Sequence, residues 1–199
     1  MKKVLIIKKI HDSGIKLLDS RKDFSYEVVE DPETSVLINK VQDCDAISLK
    51  TSKFGSDLIN AANKLKIISR HGVGHDNVDL ETVKKKKIIL SITTNSNATS
   101  VAEHVFFMML SISRGADTYD KTVKEGKFLN RKNLELSKEL WNKNILIAGF
   151  GRVGKNLIKK CIGFDMNIFV YDPFVDKKII DSLGGKKIDN FQKTIQEMD

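Results

Sequence analysis

Ile145-Leu-Ile-Ala-Gly-Phe-Gly-Arg-Val-Gly154 decides the fold of this chain. A short apolar run leads into G-x-G-x-x-G (Gly149, Gly151, Gly154), and a helical pattern follows. Eighteen residues after Gly154 stands Asp172, closing a second apolar run, Ile168-Phe-Val-Tyr171. Three glycines alone are weak evidence. Glycines between a strand and a helix, with an acid ending the next strand, are a dinucleotide-binding fingerprint. Each glycine has a separate job: Gly149 permits a tight turn, Gly151 lets a pyrophosphate reach the backbone, and Gly154 lets the helix approach the strand. A helix beginning near Arg152 offers unpaired N–H groups and a positive dipole end to phosphates. A carboxylate at 172 accepts hydrogen bonds from a ribose diol and repels a 2′-phosphate, so NAD is favoured over NADP. A glycine-rich turn without a ligand is the bland alternative.

Upstream of the fingerprint the chain alternates strand and helix patterns. Apolar runs occur at Val4–Ile7, Tyr26–Val29, Ala46–Leu49, Lys66–Ser69 and Ile88–Ile92. Helical stretches lie between them at Gly14–Leu18, Ser35–Val41, Ser56–Asn63 and Val78–Lys86. Short continuous apolar runs separated by helices indicate buried parallel strands. Five of them fit a flavodoxin-like layer. Pro32 suits the first turn of the second helix. Thr99 or Ser100 suits the N-cap of a long helix, with Glu103 completing a capping box. That helix is apolar nearly all round, so burial on several sides is expected.

The second unit reads as strand 144–149, helix 152–162, strand 167–172, a helix near 176–183 and another near 190–198. A dinucleotide-binding domain contains two βαβαβ halves. Here β-α-β-α ends where a third strand should begin. The fold class expected is therefore α/β, with a flavodoxin-like domain over residues 1–98 and an incomplete Rossmann domain over 99–199. Strand 144–149 should lie centrally, with its neighbour on one side missing and pairing groups left exposed.

Net charge is +8 over 199 residues, from 34 basic and 26 acidic side chains. Only five of the 34 are Arg, and the lysines are scattered, which argues against a nucleic-acid surface. The dense run Lys84–Lys87 falls at a helix C-terminus, where cations complement the dipole. Cys44 and Cys161 match no metal or redox spacing and read as buried free thiols of a reducing compartment. After Met1-Lys-Lys the apolar run Val4–Ile7 is too short for a signal core, and Val101–Ile112, which contains Glu103 and His104, is too short to span a bilayer, so neither a membrane nor, given the scattered lysines, nucleic acid is an expected partner, and the location expected is cytoplasmic. His71 and His75 straddle two glycines in a loop, a poor frame for a metal, so no metal site is assigned. His104 reads as a packed or hydrogen-bonded helix residue.

Several segments together resemble the D-isomer-specific 2-hydroxyacid dehydrogenase family, which includes phosphoglycerate dehydrogenases. They are Leu65-Lys-Ile-Ile-Ser-Arg-His-Gly-Val-Gly-His-Asp-Asn-Val-Asp79, Asn97-Ala-Thr-Ser-Val-Ala-Glu-His104 through Met109-Leu-Ser-Ile-Ser-Arg114, and Gly149 to Pro173. The resemblance implies a substrate domain followed by an NAD domain, a domain-crossing helix after Asn97, and a homodimer in the full-length form. It implies reversible hydride transfer between NAD and C2 of a 2-hydroxy or 2-keto acid. It places substrate binding at Val73 and Gly74, whose glycine-flanked loop lets N–H groups converge on a carboxylate. It also places it at Lys50, where phosphoglycerate-type members often carry Arg. Cofactor binding falls to Gly149, Gly151, Arg152, Val153, Gly154 and Asp172. The family's catalytic Arg, Glu and His lie beyond the position of Asp199, so no catalytic residue is carried over. The expectation is a C-terminally truncated, inactive dehydrogenase chain. The alternatives are a non-catalytic NAD-binding or dimerisation module, or another Rossmann enzyme, against which the His71–Gly74 and Val101–His104 segments argue.

Overall fold

The structure is a computed structural model that describes residues 1–30 and 32–199, with residues 130 and 131 described by their backbone alone. It divides into two compact units, Met1–Ser96 and Asn97–Asp199.

In the first unit, five strands alternate with four helices: β1 (Lys2–Ile7), α1 (Asp12–Asp19), β2 (Phe24–Val29), α2 (Thr34–Val41), β3 (Ala46–Leu49), α3 (Ser56–Ala61), β4 (Ile67–Arg70), α4 (Leu80–Lys85) and β5 (Ile89–Ile92). All pairings are parallel, in the order β2-β1-β3-β4-β5. That is the flavodoxin-like strand order. Leu5, Ile7, Ile47, Leu49 and Ile68 share one core with Leu37 and Val41 of α2, Leu58 and Ile59 of α3, and Val83 of α4.

The opposite face corrects the expectation of strands buried on both sides. Ser48, Ser69 and Ser91 stand in register across β3, β4 and β5, and Ile89 is 62% exposed. The register puts Ile47, Ile68 and Leu90 on one face and the serines on the other, so these strands carry a period-two alternation that their short apolar runs concealed. Pro32 is also displaced from its expected place. The N-cap of α2 is Glu33, which leaves Pro32 outside the helix.

The Lys84–Lys87 run ends α4 as expected, with one addition. Lys86 Nζ donates to the carbonyls of Ile59 (2.9 Å) and Asn60 (3.0 Å), so it caps the end of α3. Lys86→Ala is expected to cost about 0.5–1 kcal/mol in urea unfolding, while the neighbouring exposed Lys85→Ala changes little.

The second unit contains α5 (Ala98–Arg114), α6 (Ala116–Lys124), a 3-10 helix (Phe128–Asn133), β6 (Asn144–Ala148), α7 (Arg152–Ile162), β7 (Asn167–Tyr171), α8 (Lys177–Ser182), β8 (Lys186–Lys187) and α9 (Phe191–Ile195). The sheet is parallel, in the order β6-β7-β8. Thus a third strand is present, contrary to the expectation that the pattern stops before one. Two lysines have no apolar period to betray a strand. Phe169 pairs with Lys186 and Val170 with Lys187. The order matches one complete βαβαβ half of a Rossmann sheet. Ile147, Phe150, Leu157, Ile158, Cys161, Ile168, Val170 and Ile180 form its core with Ala102 and Phe106 of α5.

Helix α5 differs from expectation at its start and over its surface. Its N-cap is Asn97, and no side chain completes the cap. Only Ala98, Ala102 and Phe106 are buried, whereas Phe107 is 63% and Ile112 82% exposed. His104 is exposed as well, its ring stacked beside Phe107 with centroids 6.0 Å apart. Apolar residues around a helix state what it could bury, not what covers it. Among the described residues, no helix is long and apolar enough to cross a membrane.

Candidate cofactor cradle and carboxylate loop

The fingerprint loop connects β6 to α7. Gly149 has φ +90°, a conformation that side-chain-bearing residues rarely adopt, and its N–H donates to the Tyr171 carbonyl at 2.8 Å. Phe150, fully buried, anchors the loop to the core. Gly151 is the N-cap of α7, and a Cβ built there meets no atom within 4 Å. The space that a methyl would fill is open to a ligand group. Gly154 is buried on the first turn of α7, and a Cβ there would lie 2.4 Å from the Gly149 carbonyl oxygen and 3.3 Å from Ile147 Cγ2. Helix and loop approach too closely for any larger residue. Arg152 is exposed and Val153 half-buried on the opening turn of α7.

Asp172 follows β7 and is held against this loop. Its Oδ2 accepts the Phe150 N–H at 2.7 Å, and its Oδ1 accepts the N–H groups of Phe174 (2.9 Å) and Val175 (3.2 Å). The N–H groups of Phe150 and Phe174 hold its carboxyl below the ordinary carboxylate range. It is therefore ionised at neutral pH. Six residues singled out from sequence (Gly149, Gly151, Arg152, Val153, Gly154 and Asp172) thus converge on the carboxyl ends of β6 and β7. Open α/β sheets bind ligands at that end. The hydrogen bond from the loop to Asp172 was not legible from spacing.

The geometry of the loop fits a dinucleotide. Phosphates need backbone N–H groups without side-chain hindrance, and Gly151 at the start of α7 supplies that. A ribose diol needs an ionised acceptor nearby, and Asp172 supplies that.

In the first unit, Lys50 follows β3 and the Gly72–Gly74 loop follows β4, two neighbouring strands. Lys50 Nζ donates to the Lys9 carbonyl at 3.2 Å. Asn77 Nδ2 ties the segment after β3 to the loop, donating to the carbonyls of Ser52 (2.7 Å) and Lys50 (3.2 Å). Val73 is half-buried and Gly74 exposed. The Gly72 carbonyl accepts the Thr93 N–H at 3.0 Å.

One residue here was passed over in the sequence. Arg70 ends β4, and its Nη1 donates to the His71 carbonyl at 2.6 Å. A Cβ at Gly72 would fall 1.4 Å from that nitrogen, so Gly72 makes room for the guanidinium. The Arg70 Nε is buried without a hydrogen-bond partner. An Arg at a strand's carboxyl end beside a glycine loop was the available signal.

Residues 4–198 match the sequence profile of D-isomer specific 2-hydroxyacid dehydrogenase, catalytic domain. The chain belongs to this family. It is 32% identical over 200 residues to D-3-phosphoglycerate dehydrogenase of Methanocaldococcus jannaschii, covering 100% of this chain and 37% of that protein. It is 31% identical over 206 residues to glyoxylate reductase of Thermococcus litoralis, covering 99% of this chain and 61% of that one. Among solved structures, NAD+-bound 3-phosphoglycerate dehydrogenase of Entamoeba histolytica superposes with a TM-score of 0.76 at 25% identity, over 99% of this chain and 60% of that one. D-lactate dehydrogenase of Aquifex aeolicus shares the fold with a TM-score of 0.84 at 24% identity, over 98% of this chain and 58% of that one. The chain thus spans between 37% and 61% of the curated relatives named here.

Proposed function

We propose that this chain contributes the NAD cradle and the carboxylate-binding loop of a dehydrogenase acting on D-2-hydroxy acids. The observation that carries this is the juxtaposition of Gly149–Gly154 with Asp172, 2.7 Å from Oδ2 to the Phe150 nitrogen. Bound NAD would supply the acceptor for hydride from C2 of the hydroxy acid. Gly151, Arg152 and Val153 would hold the pyrophosphate through backbone N–H groups at the start of α7. Asp172 would accept from the ribose diol, and its negative charge would repel a 2′-phosphate. NAD is therefore preferred to NADP.

In the first unit, Val73 and Gly74 would offer N–H groups to the substrate carboxylate. Lys50 and Arg70 would add positive charge at the same sheet end. Lys lacks the bidentate fork of Arg, so Lys50 alone does not single out a phosphorylated acid.

None of His11, His71, His75 and His104 matches the family's acid-base histidine. The proton of the alcohol therefore has no acceptor assigned within residues 1–199, and the isolated 199-residue polypeptide does not turn over. A homodimer fits the exposed apolar side chains Phe107, Ile112, Leu136 and Trp141. The buried free thiols Cys44 and Cys161 fit a reducing cytoplasm, with burial pushing Cys161 up to about 11.

The test is to purify the 199-residue polypeptide and follow NADH absorbance with a panel of D-2-hydroxy and 2-keto acids. No rate above the enzyme-free control is expected. A saturable, NAD-dependent rate would overturn the assignment of the proton transfer outside these residues.

A further inference from the structure

We infer that His75 is a positioning residue: its imidazole latches the Val73–Gly74 peptide so that the Gly74 N–H stays turned toward the substrate carboxylate. This inference rests on the carboxylate-loop reading above and deepens it. Three successive carbonyls of the loop are held. The His71 carbonyl accepts Arg70 Nη1 at 2.6 Å, the Gly72 carbonyl accepts the Thr93 N–H at 3.0 Å, and the Val73 carbonyl faces His75 Nδ1 at 3.4 Å. A carbonyl only accepts, so this last contact selects a ring with its proton on Nδ1. The N–H groups show the reverse. Among the described residues, neither the Val73 nor the Gly74 N–H has a backbone acceptor.

Peptide geometry links the two sets. In a trans peptide the carbonyl of one residue and the N–H of the next point in opposite directions, and among the described residues no peptide bond is cis. Holding the Gly72 carbonyl therefore aims the Val73 N–H, and holding the Val73 carbonyl aims the Gly74 N–H. The first hold comes from the backbone of Thr93, just after β5, so it does not depend on that residue's side chain. The second comes from the His75 side chain. Gly74 has no Cβ to restrict the peptide before it. Without the latch that peptide can rotate and present its carbonyl oxygen, which repels a carboxylate where an N–H attracts it. The imidazole itself has a fixed base, because the His75 carbonyl accepts the Val78 N–H at 3.0 Å. His75 thus acts through Gly74, with no part in proton transfer.

Magnetic resonance on the 13C,15N-labelled 199-residue chain, with glycolate as the probe and NAD present, tests this. His75→Phe keeps a ring but has no donor. His75→Asn puts its Nδ2 donor where Nδ1 stood. Before glycolate is added, the Val73 carbonyl carbon should move upfield in His75→Phe and stay near its parent position in His75→Asn. Glycolate affinity, read from the Val73 and Gly74 amides, should fall about threefold in His75→Phe, the low end for one neutral hydrogen bond. It should return in His75→Asn, which a merely space-filling role for the ring would not allow. An unmoved Val73 carbonyl, or parent-like glycolate affinity, in His75→Phe overturns the latch and leaves the carboxylate reading standing. Equal loss of affinity in both variants also overturns the latch. Absence of glycolate shifts at Val73 and Gly74 in the parent chain overturns the carboxylate reading and the latch with it.

Discussion

Gly154→Ala will destabilise the second unit by about 2 kcal/mol in urea unfolding, within the range for overpacking a close-packed site. Two effects compete. Replacing a helical glycine by alanine gains up to about 1 kcal/mol of helix propensity. Against it, the new methyl would sit 2.4 Å from the Gly149 carbonyl oxygen, which is backbone and has no rotamer to change. The helix must move off the loop, and the clash outweighs the propensity. NAD binding should fall with stability, since the N–H groups at the start of α7 move too. Gly151→Ala makes the informative contrast. A Cβ there meets nothing within 4 Å, so the ligand-free protein should melt unchanged while NAD affinity falls, because the methyl occupies the phosphates' approach. Equal loss of stability in both variants would contradict the separate roles of the two glycines.

Asp172→Ala should cost on the order of a hundredfold in NAD affinity, as expected for losing two hydrogen bonds to an ionised acceptor. It also removes the partner of three backbone N–H groups, including that of the buried Phe150. Loop disorder should follow in the ligand-free state, visible as faster amide exchange at Phe150 and Phe174. The same carboxylate sets a pH dependence. Its folded pKa lies below the ordinary value of 3.8. Its contribution to stability is therefore complete above that value and disappears as pH falls through the folded pKa. The parent should lose stability of the second unit in this acidic window more steeply than Asp172→Ala. Matching acid-unfolding curves for the two proteins would contradict the account.

Much of the site was legible because its residue types report backbone requirements. Gly149 marks a positive φ, Gly154 a contact closer than a methyl allows, and Asp172 the end of the second fingerprint strand. The fold class followed from short apolar runs separated by helices, since parallel strands need crossovers. What stayed illegible has physical reasons. β8 is formed by Lys186 and Lys187, whose pairing with Phe169 and Val170 is made through backbone atoms alone. Ser48, Ser69 and Ser91 line up on one face only once strand register is known. Helix α6 lies in a stretch that is polar on average and buries none of its side chains. The exposure of Phe107 and Ile112 could not be read, because apolarity does not state what covers it. Arg70 was hidden for another reason: its significance lies in the space left by Gly72, a three-dimensional fact.

The most direct measurement is a titration of NAD into the 15N-labelled 199-residue chain, followed by amide chemical shifts. Saturable shifts are expected at Gly149, Gly151, Arg152, Val153 and Gly154, and at Phe174 and Val175, with NADP producing far smaller changes at the same concentration. Absence of shifts at the Gly149–Gly154 loop, or equal response to NADP, would contradict the NAD reading.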